Sequence, residues 1–201
     1  MLVDGMQMRA HPNGGGLVAE TAYVAVTAYI AKGAMVMGEA QVLGYARILG
    51  TAKIFSRATV KDRAWVCGNA HVYGSAIVCD KAKVMDNANV SRDCIISGMA
   101  WVGGAASIGG KAQVEEFAKV FENSRIFGNA LICDKALVYG TAIVLDDAEV
   151  SGNAQVFGES KIFDEARVTG GKIFNCLIGG SAVVKSNCSR ESLLTKYKGF
   201  K

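Results

Sequence analysis

Proline is almost missing from this chain of 201 residues. The single one, Pro12, stands near the N-terminus, so nothing after it lacks the backbone donor that a sheet ladder needs. Long apolar runs are missing too. Hydrophobic residues make up 51% of the chain, yet no stretch approaches the length of a membrane span. Residues 1–16 have no basic region followed by an apolar core, so no signal peptide is read there. The six cysteines form no CxxC and join no Cys/His cluster, which argues against structural zinc. Their unpaired spacing points to a reducing, cytoplasmic compartment. No GxxxxGK[ST] phosphate loop occurs; "GGAASIGGK" (103–111) reads as repeat corners. The net charge of +4 is confined to the C-terminus, because residues 1–184 are formally neutral and five basic residues against one acidic follow from Lys185. That distribution argues against a broad nucleic-acid surface.

What the chain has instead is a repeat. Val or Ile stands at every sixth position from Val24 to Val168, 25 times in succession. Two residues earlier sits a small residue, Ala in 22 cases and Cys94, Ser124 or Ser160 in the others. The unit reads A-x-V-x-G/D-x, as in "AQVFGE" (154–159) and "AHVYGS" (70–75). Six residues suit one short strand and one tight corner, and stacked units make a solenoid. Residues i and i+2 of a strand share a face. The Ala and the Val or Ile therefore point inward, and the residues between and after them point outward. Gly, Asp and Asn follow at the corners, where positive φ is tolerated.

This unit resembles the hexapeptide repeat of left-handed parallel β-helix proteins, over about three quarters of the chain. The resemblance implies an all-β prism of triangular section, three units per coil, a left-handed wind and a homotrimer. "HPNGGGLVAETAYVA" followed by "GNAxV" units is further similar to acyltransferase-like hexapeptide proteins of bacterial and phage genomes. The chain then divides into an N-terminal cap (1–21), a prism of about eight coils (22–170), and an irregular final coil with a basic tail (171–201). The register breaks at "GGKIFNCLIGG", and the tail "SRESLLTKYKGFK" reads as a short helix or a disordered end.

With 18 residues per coil, outward positions stack in ladders. One alternates cations and aromatics: Arg47, Trp65, Lys83, Trp101, Lys119. It suits cation–π contacts, either as a stabilising surface or as a platform for a planar ligand. Two others are apolar, Leu49 to Phe157 and Met37 to Phe163. They read as an exposed greasy side that packs in a trimer. Both are interrupted at one height by Ser91, Gly103 and Gly109, beside Ser107. A notch between subunits is expected there, with Tyr73, Asn89, Ser91, Trp101, Ser107, Arg125 and Phe127 as ligand-binding candidates.

Catalytic signals are sparse. In the resembling acyltransferases a His acts as general base and acyl-CoA lies between subunits. Here His71 is the candidate base, and no sequence neighbour marks an orienting carboxylate. His11 belongs to the cap. No loop interrupts the repeats between 22 and 170, which weakens the enzyme reading. The γ-class carbonic anhydrases of similar fold need three His, and no metal site is read here. Corner carboxylates such as Asp146-Asp147 and Glu115-Glu116 are explained by turn geometry. The sequence therefore reads as a non-catalytic homotrimer, of phage kind and without cofactor, that holds a small anionic or nucleotide-like ligand between subunits. Two alternatives stay open: an acyltransferase using acetyl-CoA or another acyl-CoA, and a purely structural scaffold or spike.

Overall fold

A computed structural model describes residues 2–3 and 5–189. The tail from 190 onward, with its expected helix or disordered end, lies outside the described residues. Strands β1 (Leu2–Val3), β2 (Met6–Ala10) and β3 (Leu17–Ala19) open the chain. β1 pairs with β2, and β2 with β3, in antiparallel fashion. This hairpin ladder covers the open strand edge of the first face, where unpaired strand groups would otherwise be exposed.

From β3 onward every pairing is parallel, and successive strands fall in turn on three sheets. The first face begins at Leu17–Ala19 and ends at Leu177–Ile178. The second runs from Tyr23–Val24 to Val183–Val184, and the third from Tyr29–Ile30 to Cys188–Ser189. The second and third sheets have ten strands each, as does the first once the two cap strands are set aside. The prism thus has ten coils rather than about eight. No helix long and apolar enough to cross a membrane exists among the described residues.

Register follows the repeat. His71 pairs with Asn89, and Trp65 with Lys83, each 18 residues apart. The small and aliphatic residues of every unit from Ala28 to Val168 are fully buried. Ala leaves room at the inner wall, and Val or Ile fills the axis; burying each such side chain contributes about 1.5–3 kcal/mol. At every sixth residue from Gly38 to Asp164 the corner has φ between +56° and +74°. Asp and Glu hold this position because their carboxylates add a bond that Gly cannot make. Asp86 Oδ2 accepts the N–H of Gly104 at 2.8 Å, and Asp134 Oδ2 accepts that of Gly152 at 2.8 Å. The corner carboxylates are coil-to-coil struts.

The apparent register break does not end the prism. Ile173 and Ile178 are buried like earlier Val and Ile residues, and Cys176 takes the small inner slot. The corners after Val168 and Ile173 have each lost one residue, and the one after Val184 has lost two. Gln155 pairs with Lys172, Lys161 with Leu177 and Ile173 with Cys188, so the coil shortens from 18 residues to 17, 16 and 15. The small-x-aliphatic triplet survives, and only its spacing changes.

The greasy side expected from the two apolar ladders is largely covered. Their rings turn along the prism axis and lie on neighbouring rungs. Phe55 stacks on Tyr73 at 4.9 Å with an interplanar angle of 1°, and Tyr139 on Phe157 at 4.9 Å and 2°. Both ladders are half-buried within one chain from Met37 to Phe163.

Candidate functional site

The first face carries the candidate site. Its outward side chains, one per coil, are Lys53, His71, Asn89, Ser107 and Arg125 on consecutive rungs. At the usual spacing of about 4.8 Å per rung, they form a polar strip. Met35 lies on the rung before it and Ile143 on the rung after. Alongside run Tyr73, Ser91 and Phe127, the residues that follow the buried aliphatic on the same face.

The strand geometry therefore gathers His71, Tyr73, Asn89, Ser91, Ser107, Arg125 and Phe127 on one face of one chain. Trp101 is the exception. It projects from the third face, because Trp101–Val102 pairs with Lys83–Val84 and Lys119–Val120 there. Both faces of its ring are occupied by cations of adjacent coils, Lys83 Nζ at 4.5 Å and Lys119 Nζ at 5.1 Å from the centroid. Trp65 is sandwiched in the same way by Arg47 and Lys83. Such rings offer edges rather than faces to solvent, so this ladder serves as a stabilising one and not as a stacking platform.

The notch is shallower than the sequence suggests. Ser91 is only 7% exposed and its Oγ donates to the Ile108 carbonyl at 3.3 Å. The Phe127 ring lies over Gly109, and the Phe121 ring over Gly103. The missing side chains are thus replaced by aromatics of the next coil, without help from another subunit. Ser91 and Gly109 thus occupy the two rungs between the Phe55–Tyr73 stack at one end and Phe127 at the other. Arg125 bends over one end, its guanidinium 5.7 Å from the Phe127 centroid.

Of the two histidines, His11 is 2% exposed and locked in the cap. Its Nδ1 lies 3.2 Å from the Asn13 carbonyl, its N–H donates to Gly16, and its carbonyl accepts from Gly15. His71 is half-buried, with its ring edge-on to Phe55 at 6.2 Å and 76°. Its rung neighbours are a cation and an amide, and no carboxylate orients it among the described residues.

Thiol chemistry is suppressed at three cysteines of the prism. Burial pushes Cys94 up to about 12, and burial followed by the adjacent Asp80 or Asp134 pushes Cys79 and Cys133 up to about 11. Such thiols stay protonated near neutrality and are poor nucleophiles. The carboxylates of Asp62 and Asp80 stand close to the Cys79 thiol, but Asp62 already accepts the N–H of Asp80, and Asp80 that of Gly98.

The known proteins agree with this architecture. Residues 64–80 match a family model for the YdcK β-solenoid repeat. No curated protein matches the chain. Among solved structures it is similar to a UDP-N-acetylglucosamine O-acyltransferase from Moraxella catarrhalis RH4, with a TM-score of 0.55 and 14% identity. That match covers 92% of this chain and 78% of the other. An Arabidopsis UDP-N-acetylglucosamine acyltransferase matches over 92% of this chain and 78% of its own at 18% identity, with a TM-score of 0.39 that adds no weight. The fold is that of the hexapeptide-repeat, left-handed parallel β-helix proteins.

Proposed function

We propose that the first face is the working surface of a homotrimer, that it binds a small anionic acyl donor, and that acyl transfer is its chemistry. The observation that carries this reading is the continuous strip from Lys53 to Arg125, with the one unburied imidazole inside it. The likeness to an acyltransferase of the same fold supports the reaction class. Lys53 and Arg125 stand at the two ends of the strip, where each could pair with a phosphate of the donor. His71 would accept the proton of a hydroxyl or amine as that atom bonds to the thioester carbonyl carbon. The C–S bond then breaks, and the proton passes to the departing thiolate. Asn89 and Ser107 supply neutral donors on the next two rungs.

One observation favours a second reading, in which the same strip holds a ligand without turnover. The imidazole of His71 makes no hydrogen bond among the described residues, whereas a general base is ordinarily oriented by a partner group. Acetyl-CoA titration with wild type, Lys53→Ala/Arg125→Ala and His71→Asn separates the two. Acyl transfer requires binding that the double variant loses at least tenfold, and turnover that His71→Asn abolishes while binding persists. Binding with no turnover against a panel of amines and sugars leaves the holding role. Absence of binding removes both.

A further inference from the structure

The aliphatic slot holds Val or Ile in all 25 regular repeats, but at the end of the prism it holds a thiol. Cys188 pairs with Ile173 in the third sheet and packs against the core. Cys176, 2% exposed, fills the small slot of the unit that ends in Ile178. Through the regular body Cys94 is the one inner cysteine, and the residue its Sγ reaches is Ile108. Sulfur occupies both slots only at this end.

Ser160 shows that these two slots touch. Its Oγ donates to the Ile173 carbonyl at 3.1 Å. Cys176 lies one rung beyond Ser160, to whose Oγ its N–H donates at 3.2 Å, and Cys188 lies one rung beyond Ile173. The two cysteines therefore repeat the Ser160–Ile173 contact one coil later, at a rung spacing of about 4.8 Å. Burial, and after it the neighbouring Cys188 thiol, pushes Cys176 up to about 12. Each cysteine also follows an asparagine that anchors its corner. Asn175 Oδ1 accepts the N–H of Glu159, and Asn187 Oδ1 that of Lys172, both at 2.8 Å.

This is also the open end of the molecule. Among the described residues Leu177–Ile178, Val183–Val184 and Cys188–Ser189 are the last strands of their sheets, each paired on one side only. Leu177 and Val183 are exposed. A terminal coil of this kind opens before the rest of a solenoid.

We infer that Cys176 and Cys188 form a redox site, a dithiol that takes a peroxide as its oxidant and locks the last coil once joined. Half-buried Cys188 meets the oxidant first. Its sulfur bonds to one peroxide oxygen, the O–O bond breaks, and the other oxygen leaves as water with the thiol proton. Cys176 sulfur then displaces the sulfenic oxygen, which leaves as a second water, and the S–S bond forms. Two thiols are oxidised by two electrons and one peroxide is reduced. Proximity offsets the small thiolate fraction of Cys176. The site makes no use of the polar strip on the first face, so it does not depend on the acyl chemistry proposed there.

The full chain, reduced and then exposed to hydrogen peroxide, should lose two hydrogens, about 2 Da in the intact mass. Digestion without reductant should return peptides joined from position 176 to position 188. Hydrogen exchange at Val183, Val184 and Cys188 should slow by about tenfold or more and recover on reduction. Cys176→Ala and Cys188→Val restore the spelling of the repeat, so both variants should keep the prism, which circular dichroism verifies. Each should lose the link and the slowing. Oxidation of Cys188 to the sulfinic acid with Cys176 untouched, a link between two chains, or a link that leaves exchange unchanged overturns the proposal. Retention of Zn²⁺ by the reduced chain and its loss in either variant, read by native mass spectrometry, would assign the pair to a metal and overturn it too.

Discussion

The ring of Phe127 rests on the backbone of Gly109, so closely that a Cβ on Gly109 would lie 2.8 Å from Cε1. Gly109→Ala should therefore cost about 1–3 kcal/mol through overpacking. Phe127→Ala opens the space, so the double variant should be more stable than the sum of the two single losses. Denaturant melts of the four proteins give the coupling. An additive result would mean that the ring does not sit on the glycine.

Ser124 and Ser160 both replace the inner Ala, and both are fully buried. Their loss should differ. Ser124 Oγ donates to the Phe121 carbonyl at 2.6 Å, which the Ser124 N–H also reaches. Ser160 Oγ donates to Phe157 and also accepts the N–H of Cys176 at 3.2 Å. Ser160→Ala strands that buried N–H and should cost about 1–3 kcal/mol, against about 1 kcal/mol or less for Ser124→Ala. Thermal unfolding of the two variants decides the order.

The fold should weaken in alkali. Burial pushes the thiol of Cys94 up to about 12 and those of Cys79 and Cys133 up to about 11 in the folded chain, above the ordinary 9.0. A raised value means that the unfolded chain gives up its proton first. Stability is then whole below about pH 9 and falls as pH climbs towards 11 and 12. Melting temperatures measured between pH 8 and 11 should decline, and Cys94→Ala should flatten part of that slope. An unchanged slope would remove Cys94 as a cause.

Arg92 occupies a left-handed corner with φ of 63°, where its neighbours in the ladder are mostly Gly or Asp. Its long side chain makes no strut of the kind that Asp86 makes. Arg92→Gly should stabilise the protein by roughly 1 kcal/mol, since the left-handed conformation costs about 1–2 kcal/mol for a residue with a Cβ and glycine's extra unfolded-state entropy takes back part of that. Thermal unfolding gives the sign.

Much of this molecule is legible in its sequence, for a physical reason. A period of six fixes which residues face inward, and a period of 18 fixes which outward residues become neighbours. The strip of His71, Asn89, Ser107 and Arg125 follows from counting alone. What counting does not supply is the path of a side chain after it leaves the wall. The aromatics of the apolar ladders fold along the axis onto the next coil, so residues that point outward end half-buried. Tyr45, Met99 and Phe117 lie two positions later, at the corner tip, where no neighbouring rung covers them. The same 18-residue sorting applied to the tips separates that corner from the other two. Trp101 shares the height of the notch but stands on the third face, which height alone does not reveal. A strict period of six does not reach the last coils, whose corners are shortened, although Cys176 and Ile178 keep the small-x-aliphatic spelling.

The 18-residue reach of the coil-to-coil pairing through the body of the prism also governs how it would respond to force. Each rung is held only by the one before and the one after, and the ladder strands are mostly two residues long. Pulled from its ends, the chain can peel one coil at a time, since releasing an outer coil leaves the inner ones intact. Each release pays out 18 residues, about 60 Å of extended backbone, in exchange for a rung of about 4.8 Å. The molecule is in that sense a wound tether, with the antiparallel hairpin of β1 and β2 fastening one end of the spool.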